Sequence, residues 1–202
     1  MPEGTRQALA PVSRRVAIAR WISIVAHPFS LMLLVLGVGA VKLHGNAGGM
    51  RVLLLAIAIV VVPLWIFMWR KWRSGQWSTV DASVARERPP FYAFALLLVG
   101  LLTLLIGLTN GWTPLLRGCA AVAAMLVVAA TLNRWIKLSN HMAFAVFAAV
   151  VLSRLDWRLG LFLLLVLPLL AWSRRTLSRH TWREVLVGSV LGAITAAITI
   201  AR

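Results

Sequence analysis

The sequence predicts an all-α protein: a single polytopic membrane helical bundle with six to seven membrane segments. Two observations predict this class. The hydrophobic fraction of the 202 residues is 61%, well above that of an ordinary soluble domain, and the mean hydropathy is +0.88. The chain also carries 21 Lys or Arg against 5 Asp or Glu, a net charge of +16. A nucleic-acid-binding or disordered protein with that charge would contain far less apolar sequence, so we place the cations in the loops of a membrane protein.

Seven segments approach the roughly 20 apolar residues that a membrane-spanning helix needs. They cover residues 21–43, 51–69, 91–109, 115–133, 140–154, 158–172 and 184–201. The fifth and sixth are short and flank Asp156, which predicts a tight helical hairpin or a re-entrant pair, with Asp156 as a charge partner of Arg154 and Arg158. His27 and Pro28 fall inside the first segment and predict a kink. We divide the chain into a basic N-terminal segment, 1–20, and one transmembrane domain, 21–202.

Aromatic and small residues support this division. Eight of the ten tryptophans lie at segment ends, as in the aromatic belts of membrane proteins: Trp21, Trp69, Trp72, Trp112, Trp135, Trp157, Trp172 and Trp182. Gly188, Gly192 and Ala196 share one face of the last segment and predict close helix packing. The single cysteine, Cys119, excludes a disulfide framework or a cysteine-built metal site.

The distribution of cations predicts the orientation in the membrane. If all seven segments cross, the N-terminus and residues 70–90, 134–140 and 173–183 share one side and hold 15 Lys or Arg, against 6 on the other side. The positive-inside rule places the first side in the cytoplasm. Arg88, Lys137 and Arg174 are also candidates for a binding role. Without these three, the first side still holds 12 Lys or Arg against 6 on the other side. We therefore expect a multi-pass protein of the cytoplasmic (inner) membrane.

Three polar clusters lie on the cation-rich side, within 81–91, 137–141 and 173–184. Each has a structural interpretation: a polar loop before a proline-started helix, an N-cap at Ser139 or Asn140, and a capping box of Thr181 and Glu184. Together they bring several arginines, a lysine and two histidines to one membrane face. Arginine forks match phosphate oxygens, and helix N-termini add N–H donors. Two histidines can provide a nucleophile and a general acid for phosphoryl transfer. The absence of a carboxylate cluster favours chemistry without a metal or another cofactor.

The clusters resemble the motifs of a known family. Ser173-Arg174, five residues, His180, three residues and Glu184 resemble the S-R-x5-H-x3-D signature of the type-2 phosphatidic acid phosphatase family, which also includes the vanadium haloperoxidases. Leu138-Ser139-Asn140-His141 resembles its P-S-G-H motif. Arg88-Pro89 matches the end of its K-x6-R-P motif, where the lysine position is Asp81. The three occur in the family's order and cover roughly residues 80–192.

The resemblance implies an integral membrane lipid phosphatase. It would hydrolyse a phosphomonoester or pyrophosphate on a lipid of the phosphatidate, phosphatidylglycerophosphate or polyprenyl phosphate type. His180 would be the nucleophile that forms a phosphohistidine, Glu184 would orient it in place of the family's aspartate, and His141 would protonate the leaving alkoxide. The expected phosphate-binding residues are Arg88, Ser139, Arg174 and Asn140, with Lys137 and Arg86 replacing the charge of the missing lysine. The family needs no metal, and the expected partners are a lipid phosphate and the bilayer, with no nucleic acid.

The chain departs from the family's motifs at three positions, so other functions stay open. Asn140 replaces a glycine whose N–H a ligand approaches freely, Glu184 is one methylene longer than aspartate and could be engaged in its capping box instead, and Asp81 puts an anion at a cationic position. One alternative is a catalytically degenerate lipid-phosphate-binding or structural membrane protein of the same fold. A transporter or channel is another, although no segment has a charge at mid-span. We assign no role to His27 or His44.

Overall fold

The computed structural model describes residues 13–110 and 114–201. In this part of the chain there are eight α-helices and no β-strand, so the predicted all-α class is confirmed. The helices are α1 (Arg14–Val25), α2 (Pro28–Ala56), α3 (Val62–Arg73), α4 (Arg88–Asn110), α5 (Pro114–Leu132), α6 (Asn140–Leu155), α7 (Trp157–Thr176) and α8 (Trp182–Ile200). Residues 1–12 of the predicted basic segment, Trp112 and Arg202 lie outside the described residues.

Five helical stretches of the described chain are long and apolar enough to cross a membrane. They are Arg14–Arg73, Ala85–Thr109, Pro114–Leu132, Trp157–Thr176 and Trp182–Ile200. Helix α6, with 16 residues, is apolar but shorter. The protein is therefore a polytopic membrane helical bundle, as its composition predicts.

The first predicted segment, 21–43, is wrong as one continuous helix. Helix α1 ends at Val25 and α2 starts afresh at Pro28. Proline suits the first helical position, where its missing N–H has no intrahelical partner, and His27 caps the new helix. The expected kink is thus a complete break. With 12 residues, α1 is about 18 Å long and too short to span the bilayer.

Helix α2 folds back on itself at Gly45, whose φ of 68° lies in the left-handed region that favours glycine. A Cβ on Gly49 would lie 2.8 Å from the Cα of Val41, and one on Gly37 would lie 3.6 Å from Leu53. In each pair the two residues lie equally far from Gly45 along the chain, one before it and one after it, so the two arms are antiparallel. The second arm continues through a π-helical turn (Ile57–Val61) into α3. The arms correspond to the first two predicted segments.

The predicted hairpin around Asp156 is present, but its second arm is longer than expected. Helix α7 has 20 residues because the polar run after Trp172 continues the helix to Thr176. Asp156 Oδ1 accepts hydrogen bonds from the backbone N–H groups of Arg158 and Leu159, at 3.0 and 3.3 Å. Its carboxylate therefore caps α7 rather than serving as the partner of flanking guanidiniums.

Helix α6 is the core helix, with 10 of its 16 residues buried. At two glycines of α8 the backbones of α6 and α8 are in direct contact, because no side chain separates them. A Cβ on Gly188 would meet the carbonyl oxygen of Ser139, and one on Gly192 would meet that of Ala143. The close packing predicted from the small residues of the last segment is confirmed.

The three polar clusters lie at one end of the bundle. Arg88 Nη1 donates to the carbonyl oxygen of Leu138 at 2.8 Å, and Ser139 N–H donates to that of Glu184 at 3.0 Å. We call the end formed by residues 23–27, 74–88, 133–141 and 174–184 the motif end. Residues around 45, 117, 156 and 201 form the opposite end, where Arg117 reaches the carbonyl of Ala201.

Candidate functional site

A cavity of about 590 Å³ begins at the motif end and extends into the bundle. This volume is typical of small-molecule sites. The polar residues that line it at the motif end come from all three clusters and from the α1–α2 junction: His27, Asp81, Arg88, Asn140, His141, Arg174 and His180. The structure therefore brings five sequence-predicted catalytic or binding residues to one cavity: His180, His141, Arg88, Arg174 and Asn140.

His180 is held by the capping box of α8. Its Nδ1 lies 3.0 Å from Glu184 Oε2, and the same oxygen accepts the Thr181 N–H at 3.1 Å. Thr181 Oγ1 in turn accepts the Glu184 N–H. The capping and orienting roles of Glu184 do not compete, because His180 directly precedes the N-cap residue. A carboxylate only accepts, so this contact assigns the proton to Nδ1 and leaves the lone pair on Nε2.

The electrostatic environment keeps His180 neutral. Its side chain is buried, and this burial, with the charges of Arg174, Arg88 and Lys137, lowers its pKa to about 2, although the carbonyl of Lys137 acts in the opposite direction. At neutral pH the ring is a neutral imidazole with one proton, on Nδ1. A neutral ring with a free Nε2 lone pair is the form that a nucleophile requires.

Two buried guanidiniums flank His180. Arg174, 3% exposed, donates from Nη1 to Ser23 Oγ at 2.6 Å, and its Nη2 lies 3.7 Å from Asp81 Oδ2. Its Nε is buried and has no hydrogen-bond partner. Arg88, 4% exposed, donates from Nε to Ala82 and from Nη1 to Leu138. A buried donor without a partner is costly, so the free Nε of Arg174 favours a bound anion.

Asp81 lines the cavity as an ionised carboxylate. Burial raises its pKa, but hydrogen bonding to Ser83 and the charges of Arg179 and Arg174 outweigh this effect, and the net shift is below the usual value. Ser83 Oγ donates to Asp81 Oδ1 and accepts from Arg179 Nη1. Asp81 is therefore part of an ordered charge network and partly neutralises Arg174.

His141 and Asn140 begin α6 beside this network. The His141 ring is 6% exposed and stands perpendicular to that of His27, with 5.2 Å between ring centroids. Asn140 Oδ1 accepts a hydrogen bond from Tyr92 at 3.1 Å, which fixes its side chain. Both residues line the cavity.

Three of the predicted phosphate-binding residues do not line the cavity. Ser139 is fully buried and caps α6, its Oγ accepting from the Met142 N–H. Lys137 Nζ donates to the carbonyl of Arg179 at 2.8 Å; burial lowers the pKa of this lysine, although Glu184 acts to raise it. Arg86 is exposed on a short 3₁₀ helix (Ala85–Glu87). Lys137 nevertheless lies close enough to affect the charge of His180.

Sequence reasoning assigned no role to two residues that line the cavity, His27 and Asp81. One signal could have found His27: it is an ionisable residue that interrupts an apolar segment beside a proline. Asp81 was visible only as a departure from a motif. Asp81 pairs with Arg174, which lies 93 positions later in the chain, and local sequence patterns do not predict a contact over that separation.

The described residues contain no group of three or more His, Cys, Asp or Glu side chains that could hold a metal ion.

Comparison of the chain with family models, curated proteins and solved structures finds no match. The interpretation of the cavity therefore depends on its own geometry and chemistry.

Proposed function

We propose that this protein is an integral membrane phosphatase that hydrolyses a phosphomonoester or pyrophosphate on a lipid through a phosphohistidine intermediate. One observation carries the proposal. The neutral His180, whose Nδ1 is held by Glu184, shares a cavity with His141 and with Arg174, whose buried Nε lacks a partner. A nucleophile, a proton donor and an anion-binding guanidinium are the groups that metal-free phosphoryl transfer needs.

The mechanism has two steps. The Nε2 lone pair of His180 attacks phosphorus, and the bond from phosphorus to the lipid oxygen breaks while His141 gives a proton to that oxygen. His141 acquires this proton when the dianionic phosphate binds, because the anion offsets the charges of the neighbouring guanidiniums. Glu184 stabilises the positive charge that the His180 ring acquires. In the second step a water molecule loses a proton to His141 and attacks phosphorus, which breaks the P–N bond and releases inorganic phosphate. Arg174 and Arg88 stabilise the charge on the phosphoryl oxygens in both steps.

The shape of the cavity supports an amphiphilic substrate. Below the polar groups its wall is apolar and includes Met32, Leu102, Val122, Phe147 and Val151. A phosphate at the motif end would leave the hydrocarbon chain among these side chains. We place the protein in the cytoplasmic membrane with the motif end towards the cytoplasm, on the strength of the cation distribution.

A second candidate is binding of a lipid phosphate without turnover. Asp81 favours it, because its carboxylate lies 3.7 Å from Arg174 and repels a phosphate. Asn140 favours it as well, since its fixed side chain narrows access to the first backbone N–H groups of α6.

Phosphate release from purified protein in detergent tests both candidates. A panel of lipid phosphates is assayed with EDTA present. We expect release by the wild type, none by His180→Ala, and a decrease of about a hundredfold or more in His141→Ala. The matched control is His44→Ala, because His44 is exposed beside the Gly45 turn, outside the cavity. Full activity in His180→Ala would refute the phosphatase, and lipid-phosphate binding without release by the wild type would favour the second candidate.

A further inference from the structure

The junction between α1 and α2 is attached to the cavity by contacts that no motif predicts. Ser173 Oγ donates to the carbonyl of Ala19 at 2.6 Å, and Arg174 donates to Ser23 Oγ at the same distance. Just beyond Ser23, the His27 ring stands 5.2 Å from that of His141. The junction is therefore fixed relative to the guanidinium and to the histidine that the proposed reaction uses.

The two ring nitrogens of His27 have different surroundings. Nδ1 accepts the backbone N–H of Phe29 at 3.3 Å and so caps α2. In the neutral ring the proton is therefore on Nε2, which is the nitrogen left to meet a ligand. His27 lines the same cavity as Arg174 and His180.

We infer that His27 is a further binding residue of this site and donates a hydrogen bond from Nε2 to an oxygen of the bound phosphoryl group. The inference rests on the proposed function for its ligand, a phosphomonoester dianion. That ligand is either the headgroup of a lipid or free inorganic phosphate.

The physical reason for this role of His27 is the number of hydrogen-bond donors in the cavity that remain available to the phosphoryl oxygens. Arg174 uses Nη1 on Ser23 and directs Nη2 towards Asp81, so its Nε is the donor without a partner. Arg88 uses Nε and Nη1 on two carbonyls, which leaves Nη2. Lys137 donates to Arg179 and does not line the cavity. Asn140 accepts from Tyr92 through Oδ1 and keeps its amide nitrogen as a donor. A phosphoryl group has three peripheral oxygens that each accept more than one hydrogen bond, and the Nε2–H of His27 adds a donor from the side of the α1–α2 junction.

Two isosteric variants separate this role from helix capping. The amide oxygen of asparagine takes the place of Nδ1, and the amide nitrogen of glutamine takes the place of Nε2. We expect His27→Asn to keep the melting temperature of the wild type, since asparagine is a good N-cap, but to bind phosphate about tenfold or more weakly. His27→Gln should melt at a lower temperature and bind phosphate within about threefold of the wild type.

The measurements are dissociation constants for inorganic phosphate and for a short-chain phosphatidate, with melting temperatures of the same samples. Weaker binding of both ligands by folded His27→Asn supports the inference. Unchanged binding of both overturns it and makes His27 a cap alone. Weaker binding of the lipid only also overturns it, because the contact would then be to the lipid and not to the phosphoryl group.

A measurement on the wild type keeps the inference falsifiable if the variants do not fold. Diethyl pyrocarbonate modifies free imidazole nitrogens, and the modified residues are identified by mass spectrometry. Phosphate should protect His27, and modification of His27 at the same rate with and without phosphate would overturn the inference. The proposed function can fail while the inference on His27 holds. That is the outcome if the wild type binds phosphate through His27 but releases no phosphate from any lipid.

Discussion

At the scale of single residues, Glu184 links His180, the proposed nucleophile, to the start of a helix. Its Oε2 contacts both the ring of His180 and the N–H of Thr181. This double contact depends on sequence order, because His180 lies one residue before the N-cap and Glu184 three residues after it. The additional methylene of glutamate, expected to misplace the carboxylate, is compatible with both contacts.

Removing the charge of Glu184 tests its role as a positioning residue. Glu184→Gln keeps an oxygen that caps the Thr181 N–H, so we expect the melting temperature to change little. Phosphate release should fall about tenfold to a hundredfold, because a neutral amide stabilises the positively charged phosphohistidine less well. Kinetics and melting curves of this variant and of Glu184→Ala measure both effects, with the alanine variant also losing about 1 kcal/mol of stability. Full activity of the glutamine variant would contradict this role.

The low pKa of His180 predicts a dependence of stability on pH. In the unfolded chain the ring binds a proton below about pH 6.5, whereas in the folded protein it does so only near the pKa of about 2. The unfolded state therefore holds more protons in this interval, and the free energy of unfolding decreases as the pH falls from 6.5. We expect melting temperatures measured between pH 7 and pH 4 to fall less steeply in His180→Gln. An equal slope in both proteins would exclude His180 as a cause.

At the scale of elements, contact between α6 and α8 sets the separation of the two histidines of the proposed site. His141 is the second residue of α6, and His180 lies just before α8. The two helices touch backbone to backbone at Gly188 and Gly192. Any side chain at these positions pushes the helices apart and moves His141 away from His180.

A pair of glycine variants tests this coupling. Gly192→Ala places a Cβ against the carbonyl of Ala143 and should reduce the free energy of unfolding by about 2 kcal/mol, with a loss of phosphate release. Gly100→Ala is the matched control, because a Cβ there meets nothing within 4 Å on an exposed face of α4. Thermal unfolding and activity of both proteins are compared. Equal stability of the two variants would show that α8 moves aside without cost.

The helical elements were largely predictable from hydropathy, while their ends were not. Each of the seven apolar segments is helical, because burying a backbone in lipid requires its hydrogen bonds to be internal. The break at His27 and the extension of α7 to Thr176 were missed. A hydropathy pattern does not distinguish a kink from a break, and it ends where charges begin, even if the helix continues.

At the scale of the whole molecule, the cavity follows one face of α6. Asn140, His141, Phe144, Phe147, Val151 and Arg154 line it at intervals of one to four residues. From His141 to Arg154 this face is about 20 Å long at 1.5 Å per residue. The cavity therefore runs most of the way between the ends of the bundle.

Filling the cavity tests whether it holds the hydrocarbon chain. Gly118 lines its deep part and has open space at the Cβ position, so Gly118→Phe occupies the cavity without striking the backbone. We expect release from long-chain lipid phosphates to fall about tenfold, in line with the loss of several buried methylenes, and release from short-chain phosphates to be unchanged. Gly100→Phe, on the lipid-facing side of α4, is the control. Equal effects on both chain lengths would place the chain outside the cavity.

The candidate site was only partly predictable from the sequence. The three clusters were expected on one face because two predicted membrane segments separate each cluster from the next, and they do meet there. Asp81 and His27 join the same cavity through tertiary pairing with Arg174 and proximity to His141. Such pairings arise from the way helices pack and leave no local pattern.

The contact between Ser23 and Arg174 joins positions 151 residues apart, so it connects an early helix of the chain to the end of α7. During biosynthesis the N-terminal helices enter the membrane long before α8 does. Thr181 and Glu184, which hold His180, follow Ser23 by more than 150 residues in the chain. A chain synthesised only as far as α7 therefore already carries most of the apolar cavity wall but lacks His180 and Glu184, so the proposed site is complete only after α8 has joined the bundle.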